Sequence, residues 1–380
     1  MDQAGCFVVK SLMNMLRDIG FVAALTCSVA TLARAETLDS ANGPLTLTRM
    51  ADGLTEPWSI GFLPDGRFVV TLRGGELRLY QADGSYVALS GVPDVVTGDQ
   101  AGLFDVMVPR DFATSREIFL SYAKEQPGGS GTALARAVLP EDSTDLLDVK
   151  LLFEMQPDST GLGHYGGRIV EAADGHIFLT MGERQKFTPA QDLAVHLGKI
   201  VRLNRDGSVP DDNPFVGQAG VRPEIWSYGH RNPQGATLDL DGQLWESEHG
   251  AKGGDEVNRI EAGQNYGWPV ISYGVNYDGS QIGESQSKDG IEQPEHYWDP
   301  SIAPSGMMFY SGKLWPEWRG DIFVGSLKFG FLSRLDPDAD FAEERLESPE
   351  TGRVRDVREA PDGSIWFLSV TGGAIWKITP

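Results

Sequence analysis

The sequence predicts an all-β fold, a six-bladed β-propeller. Three observations carry the prediction: a strand–turn–strand pattern that recurs along the chain, 46 Gly and 22 Pro to supply turns, and a scarcity of amphipathic helical stretches. The copies begin at "PWSIGFLPDGRFVVTLR" (57–73), "AGLFDVMVPRDFATSREIFLSYA" (101–123), "GGRIVEAADGHIFLTMGE" (166–183), "PQGATLDLDGQLWESEHG" (233–250), "PSGMMFYSGKLWPEWRGDIFVGSL" (304–327) and "VRDVREAPDGSIWFLSV" (354–370). Each is an alternating apolar run, a turn, and a second alternating run, the signature of a hairpin. Asp65-Gly66, Asp174-Gly175, Asp241-Gly242 and Asp362-Gly363 are the turn signals, with the expected positive φ costing Gly little and Asp modestly. Successive copies lie roughly 45 to 70 residues apart, room for a four-stranded blade and its loops. Two β-sandwiches would need a linker, and no stretch between copies reads as one. The last strand, "GGAIWKITP" (372–380), either ends the chain abruptly or pairs with "LTLTRMADGL" (45–54) to close the ring.

Ahead of the repeats, "IGFVAALTCSVATL" (19–32) is an uncharged, mostly apolar run that follows Lys10 and Arg17 and leads into Ala33-Arg34-Ala35. This reads as a cleaved signal peptide over residues 1–35, with one propeller domain over 36–380 and Glu36 as the mature start. At about 14 residues the run is short of the roughly 20 that a membrane span needs, so no membrane insertion is expected and the destination is the periplasm. Cys6 and Cys27 both fall in the leader, leaving the mature chain without thiol or disulfide. Losing Lys10, Arg17 and Arg34 against Asp2 and Asp18 moves the net charge from −22 to −23. So acidic a chain repels nucleic acid and anionic lipid and suits cations and neutral solutes.

Propellers carry function in loops at one channel mouth, and four stretches break the repeat. In "GLGHYGGRIV" (161–170), His164 can take a hydroxyl proton near pH 7, and Gly163, Gly166 and Gly167 would let a flat ligand or a backbone approach closely. Alone, the stretch fits a packed histidine better. In "SYGHRNPQG" (227–235), Arg231 can pair a carboxylate while Asn232 and Gln234 offer donors and acceptors; His230 reads as a structural neighbour. In "ESEHGAKGGDEVNRIEAGQNYGWP" (246–269), Asp255, Glu256 and nearby carbonyls suit calcium better than zinc, because His249 has no partner at ligand spacing. Lys328 in "GSLKFG", with Arg353 and Arg355 in "GRVRDV", forms a cationic set in an acidic chain, and positions i and i+2 share one strand face.

At these residues the sequence resembles the soluble quinoprotein dehydrogenases that use pyrroloquinoline quinone (PQQ), and their bacterial aldose sugar dehydrogenase branch more closely than the glucose dehydrogenase branch. "HYGGR", "PEIWSYGHRNPQG", "EHGAKGGDEVNRIEAGQNYGWPV", "SIAPSGMMFY", "SLKFG" and "GRVRDV" stand in the family's order from about Leu54 to Pro380. The resemblance implies a six-bladed propeller, PQQ and Ca2+ as cofactors, an aldose as substrate, and an external electron acceptor, in a monomer or homodimer. It assigns His164 as the base and Arg231 as the group that polarises the quinone. Gln100, Asn232, Lys328, Arg353 and Arg355 are implied cofactor contacts, with Tyr277 and Ser301 as pocket wall. The carbonyls of Gly250 and Ala251 match those sharing the cofactor's calcium; Glu256 and the Tyr266 carbonyl match a structural calcium site. The glucose dehydrogenase branch carries an aspartate where this chain has Gly163, so what orients His164 is open. Two rivals stand beside this reading: a calcium-dependent sugar lactonase, which needs carboxylates converging on a metal at the channel axis, and a propeller that binds sugar without turnover.

Overall fold

Each predicted copy supplies the innermost strand of a sheet. The protein was examined as a computed structural model in which residues 36–380 are described; the predicted leader and both cysteines lie outside the described residues. Six antiparallel sheets follow one another along the chain. Their innermost strands are Pro57–Phe62, Leu103–Met107, Ile169–Glu171, Pro233–Leu238, Pro304–Phe309 and Val354–Glu359. Five sheets take four consecutive strands, each beside the one before it. The sixth takes three strands from the C-terminus, then Gly43–Ala51 and Glu36–Ser40 from the N-terminal side. Thr46 faces Thr379 and Leu47 faces Ile378 in that join. The ring is therefore closed by main-chain hydrogen bonds between the two ends of the domain, the second of the two fates open to "GGAIWKITP".

The turns differ from expectation in one respect. Gly66, Gly175, Gly242 and Gly363 take φ of 87°, 89°, 90° and 88°, while the aspartates before them stay out of the left-handed region. Asp65, Asp174 and Asp362 instead accept the backbone N–H two residues on, at 3.0, 3.1 and 3.0 Å, so the carboxylate caps the turn and glycine alone takes the strained conformation. Helix is confined to one α-turn, Phe112–Ser115, and three short 3-10 turns among the described residues.

The apolar core lies between neighbouring blades. Tyr310, Trp318, Phe323, Val357 and Phe367 pack together between the fifth and sixth, and Val69, Leu77, Ile118 and Leu120 between the first and second. Each such side chain contributes about 1.5–3 kcal/mol by leaving water. Along the axis the innermost strands carry polar groups instead. Arg168 bridges Asp105 at 3.1 Å and Asp356 at 3.2 Å, and Arg358 reaches the same two carboxylates at 3.2 and 3.1 Å. Burial alone would raise Asp105, but the two guanidiniums outweigh it and hold the carboxyl below its usual range. Arg355 and Arg358 belong to one strand yet line different cavities, with the ion network between them.

Candidate functional site

His164 sits where the third blade begins, with φ of +49°. Its Nδ1 lies 2.5 Å from Glu183 Oε1, and its backbone N–H donates to Gln100 Oε1 at 2.8 Å. Glu183 is buried, which alone would raise it, but the His164 hydrogen bond and the Phe187 backbone N–H hold it below the usual carboxylate range. An ionised acceptor at Nδ1 places the imidazole proton there and leaves the Nε2 lone pair as the basic site. Burial, and then the Arg231 charge, depress the histidine below its ordinary value against the pull of Glu183, so it is neutral at pH 7. Glu183 escaped the sequence reading, because only the pairing register brings it near the histidine. The antiparallel register Ile169↔Leu179, Glu171↔Ile177, continued outward, places position 183 opposite 165.

The glycines around His164 make room for protein rather than for a ligand. A Cβ on Gly166 would stand 2.8 Å from the Thr180 carbonyl, one on Gly167 2.9 Å from the Phe104 ring, and one on Gly163 2.6 Å from the Gln185 amide. Gln185 thus occupies the space that a side chain at position 163 would need, and Glu183 orients the His164 ring.

Beside His164, a cavity of about 120 Å3 is lined by Gln100, Asn232, Arg353 and Arg355 as expected, and also by Arg73, Trp58, Gln234 and His249. Arg355 is pushed down to about 9 by burial and by the like charges of Arg353, Arg168 and Arg73. Arg73 is paired with Glu56, but Arg353 and Arg355 meet only neutral acceptors, the Leu327 carbonyl at 2.8 Å and Gln234 Oε1 at 2.9 Å, which favours an anion beside them. His249 is pushed down to about 3 by burial and Arg231; its Nε2 donates to the Pro304 carbonyl at 2.6 Å, so it enters the cavity wall as a neutral ring. Five predicted residues are not part of this wall, and two of them, His164 and Arg231, adjoin the lining residues Tyr165 and Asn232 in the chain. Lys328 is exposed, with Nζ 4.9 Å from the Phe329 ring centre. Tyr277 is 75% exposed on an outer loop, and Ser301 turns its hydroxyl onto Asp255 at 2.8 Å. The pocket-wall reading of Tyr277 and Ser301 is corrected accordingly.

Arg231 lines a second, much smaller cavity, which shares His249 with the first. Its backbone N–H and that of Asn232 donate to Glu248 Oε2 at 2.5 and 3.1 Å, its Nη1 donates to the His249 carbonyl at 3.0 Å, and its buried Nε has no partner. Asn232 Oδ1 accepts the Gly166 N–H at 3.2 Å, tying this loop to the His164 loop. The small cavity, about 10 Å3, is lined by Glu248, Gly250, Glu256 and Tyr266, which brings three of the four predicted calcium positions together; Ala251 is buried alongside, against Trp268. Burial and the neighbouring Glu248 push Glu246 and Glu256 well above the usual carboxylate range. Asp255 is not available as a ligand, because Gly250 N–H, Ser301 Oγ and Ala303 N–H all donate to it at 2.8 Å. His230, set aside in sequence as a neighbour, joins the carboxylates: ligand atoms of His230, Glu246 and Glu248 lie within 4.8 Å of one another. Buried carboxylates in excess of cations fit a divalent ion of the oxygen-preferring kind.

Known proteins similar to this chain are sugar dehydrogenases. The family described as Glucose / Sorbosone dehydrogenase matches residues 54–377. The aldose sugar dehydrogenase YliI of Escherichia coli K12 is 42% identical over 340 residues, covering 87% of this chain and 92% of the relative. Quinoprotein glucose dehydrogenase B of Acinetobacter calcoaceticus is 28% identical over 411 residues, covering 85% of each. The PQQ-bound form of an aldose sugar dehydrogenase from Streptomyces coelicolor superposes with a TM-score of 0.73 at 25% identity, covering 88% of this chain and 98% of that one.

Proposed function

The chain belongs to the glucose/sorbosone dehydrogenase family, and from that premise we propose that it oxidises the C1 hydroxyl of aldose sugars to the lactone, with PQQ and Ca2+ as cofactors. The observation that carries the reading is the His164–Glu183 pair next to a cavity lined by three arginines, of which Arg353 and Arg355 meet no carboxylate at ion-pair distance among the described residues. When bound, PQQ supplies the electrophilic quinone carbon that accepts the C1 hydrogen as hydride. His164 Nε2 takes the hydroxyl proton, and Glu183 stabilises the imidazolium that results. Arg353 and Arg355 hold the carboxylates of the cofactor. Arg231, fixed by Glu248 and the His249 carbonyl, offers a preorganised positive charge where negative charge develops. The Gly250 and Ala251 carbonyls would share the calcium, and Glu256 with the Tyr266 carbonyl a second one. A lactonase needs free carboxylates on the axis; here Asp105 and Asp356 are committed to Arg168 and Arg358.

The test is an absorbance titration of the purified protein with PQQ and calcium, followed by dye reduction across a panel of aldoses. Saturable binding and sugar-dependent reduction support the reading; lactone hydrolysis outpacing dye reduction overturns it. We further propose periplasmic delivery through the 1–35 leader, with electrons passed to an external acceptor. An N-terminus at Glu36 in protein recovered from the periplasm is the expected result.

A further inference from the structure

The main chain from Gly161 to His164 belongs to no sheet, since the first strand of the third blade begins only at Ile169. Its four carbonyls must therefore find partners elsewhere. Gly161 O accepts from Arg184 Nη2 at 2.7 Å, Leu162 O from the Gln100 N–H at 2.9 Å, Gly163 O from Arg184 Nη1, and His164 O from the Arg184 N–H at 3.3 Å. One arginine thus serves three of the four. On the far side of the histidine, the Arg184 guanidinium carbon lies 3.5 Å from the centre of the Tyr165 ring. Tyr165 is fixed in turn: its hydroxyl lies 2.6 Å from Ser130 Oγ, and its carbonyl accepts from Thr132 Oγ1 at 2.6 Å.

His164 needs such a hold. Its φ of +49° is a conformation that a side chain resists and that lasts only where the surroundings impose it. Glu183 and Arg184, successive in the chain, divide the histidine between them: the carboxylate takes the ring at Nδ1, and the guanidinium takes the main chain on either side. A planar fork can span two carbonyls while its face lies on an aromatic ring, which a lysine ammonium cannot do. Arg184 is only 2% exposed, meets carbonyls, a hydroxyl and a ring rather than a carboxylate, and leaves its buried Nε without a partner. A buried cation on these terms is costly, and a neutral amide could hold a carbonyl without that cost. The charge also bears on the histidine, since burial first, then Arg231 and Arg184, depress it against the pull of Glu183.

We propose that Arg184 is a positioning residue for the reaction, holding the left-handed main chain at His164 so that the ring stays on Glu183 and its second nitrogen is presented in one place. The proposal rests on the sugar-oxidising function above, in which His164 is the base. Arg184 itself touches neither the sugar nor the cofactor in this scheme; it acts through the histidine.

The experiment uses the full protein as wild type, Arg184→Lys and Arg184→Met. In the cofactor-free protein the His164 imidazole is titrated by NMR with isotope-labelled histidine, its signal identified by its loss in His164→Gln. After reconstitution with PQQ and calcium, kcat and KM for glucose are measured by dye reduction, PQQ affinity by absorbance, and the folded fraction by thermal melting. In Arg184→Met the His164 midpoint is expected to rise, because losing a positive neighbour favours the imidazolium while Glu183, Arg231 and His249, the other titratable groups that act on it, stay in place. In Arg184→Lys the charge remains and the midpoint should stay near that of the wild type. In both variants kcat should fall about 10- to 100-fold, the effect of a slightly misplaced group, with PQQ affinity and KM for glucose near wild type. A kcat that merely follows the folded fraction, an unmoved midpoint in Arg184→Met, or full activity in Arg184→Lys overturns the proposal while leaving the sugar dehydrogenase reading in place. A wild-type protein that reduces no dye with any aldose overturns that reading and the positioning role with it.

Discussion

Two histidines in this protein face buried carboxylates, and they differ in what their second nitrogen does. His164 gives Nδ1 to Glu183, and its Nε2 has no hydrogen-bond partner among the described residues. His230 gives one nitrogen to Glu248 at 3.3 Å and the other to the Ser227 hydroxyl at 2.8 Å, and its ring stacks 4.8 Å from Tyr266. The proposed function makes the first a base; the second has both nitrogens engaged by protein groups. A histidine beside a carboxylate is therefore not in itself a catalytic dyad. What separates the two is the commitment of the second nitrogen.

The largest effect expected from this contrast is at His164. His164→Gln should lower turnover by on the order of 10²- to 10⁴-fold and spare PQQ binding in the absorbance titration. His230→Gln should instead lower Tm, leaving a buried carboxylate short of a partner at a cost of about 1–3 kcal/mol, with turnover following the folded fraction. Persistent turnover in His164→Gln would remove the distinction.

Next in size is the orienting carboxylate. Glu183→Gln can donate to Nδ1 and stabilise the wrong tautomer, so kcat should fall about 10²-fold or more. In the wild type the acid limb of kcat/KM should have its midpoint below 6.5, because burial and Arg231 depress His164. The active form is the neutral one, so activity is present above that midpoint and lost as pH falls through it. Since Glu183 raises the value, the residual activity of Glu183→Gln should have its limb at still lower pH.

The same logic extends to the arginines. Arg168 is matched by Asp105 and Asp356, whereas Arg355 is surrounded by like charge. Arg355→Met should weaken PQQ by about tenfold or more yet raise the Tm of the cofactor-free protein, because a half-buried cation repelled by Arg353, Arg168 and Arg73 is gone. Arg168→Met should lower Tm, because the buried Asp105 and Asp356 keep only Arg358 as counter-charge. The smallest effect concerns the acidic cluster around His230. Chelation should lower Tm, by about 3 kcal/mol of stability relative to calcium at a hundredfold excess over Kd, and Glu246→Gln should shrink that difference.

Most of the fold was legible along the chain, since a strand that is half of a hairpin advertises itself through alternation and a Gly turn, both local properties. The site was legible only in part. His164, Arg231, Asn232 and the Arg353–Arg355 pair stand in stretches that break the repeat, which is why they could be picked out. Glu183 could not: it closes an ordinary copy of the repeat, and only antiparallel pairing brings it across from His164. Arg184 is one more charged residue in the sequence; that it turns inward onto the Gly161 and Gly163 carbonyls is a fact of three dimensions. Tyr277 and Ser301 show the converse, since positions near a motif can still be turned outward or spent on a loop.

What the sequence by itself determined is the repeat, its number, and the residue types that could hold an anion, a cation and a proton. Those follow from hydrophobic periodicity and side-chain chemistry, which need no partner to be read. The tertiary structure alone decided which carboxylate holds which histidine, which arginines are left without counter-charge, and which nitrogen remains basic. These depend on hydrogen bonds between residues from 16 to 64 positions apart, and on burial, which no single segment of the chain possesses until the ring has closed.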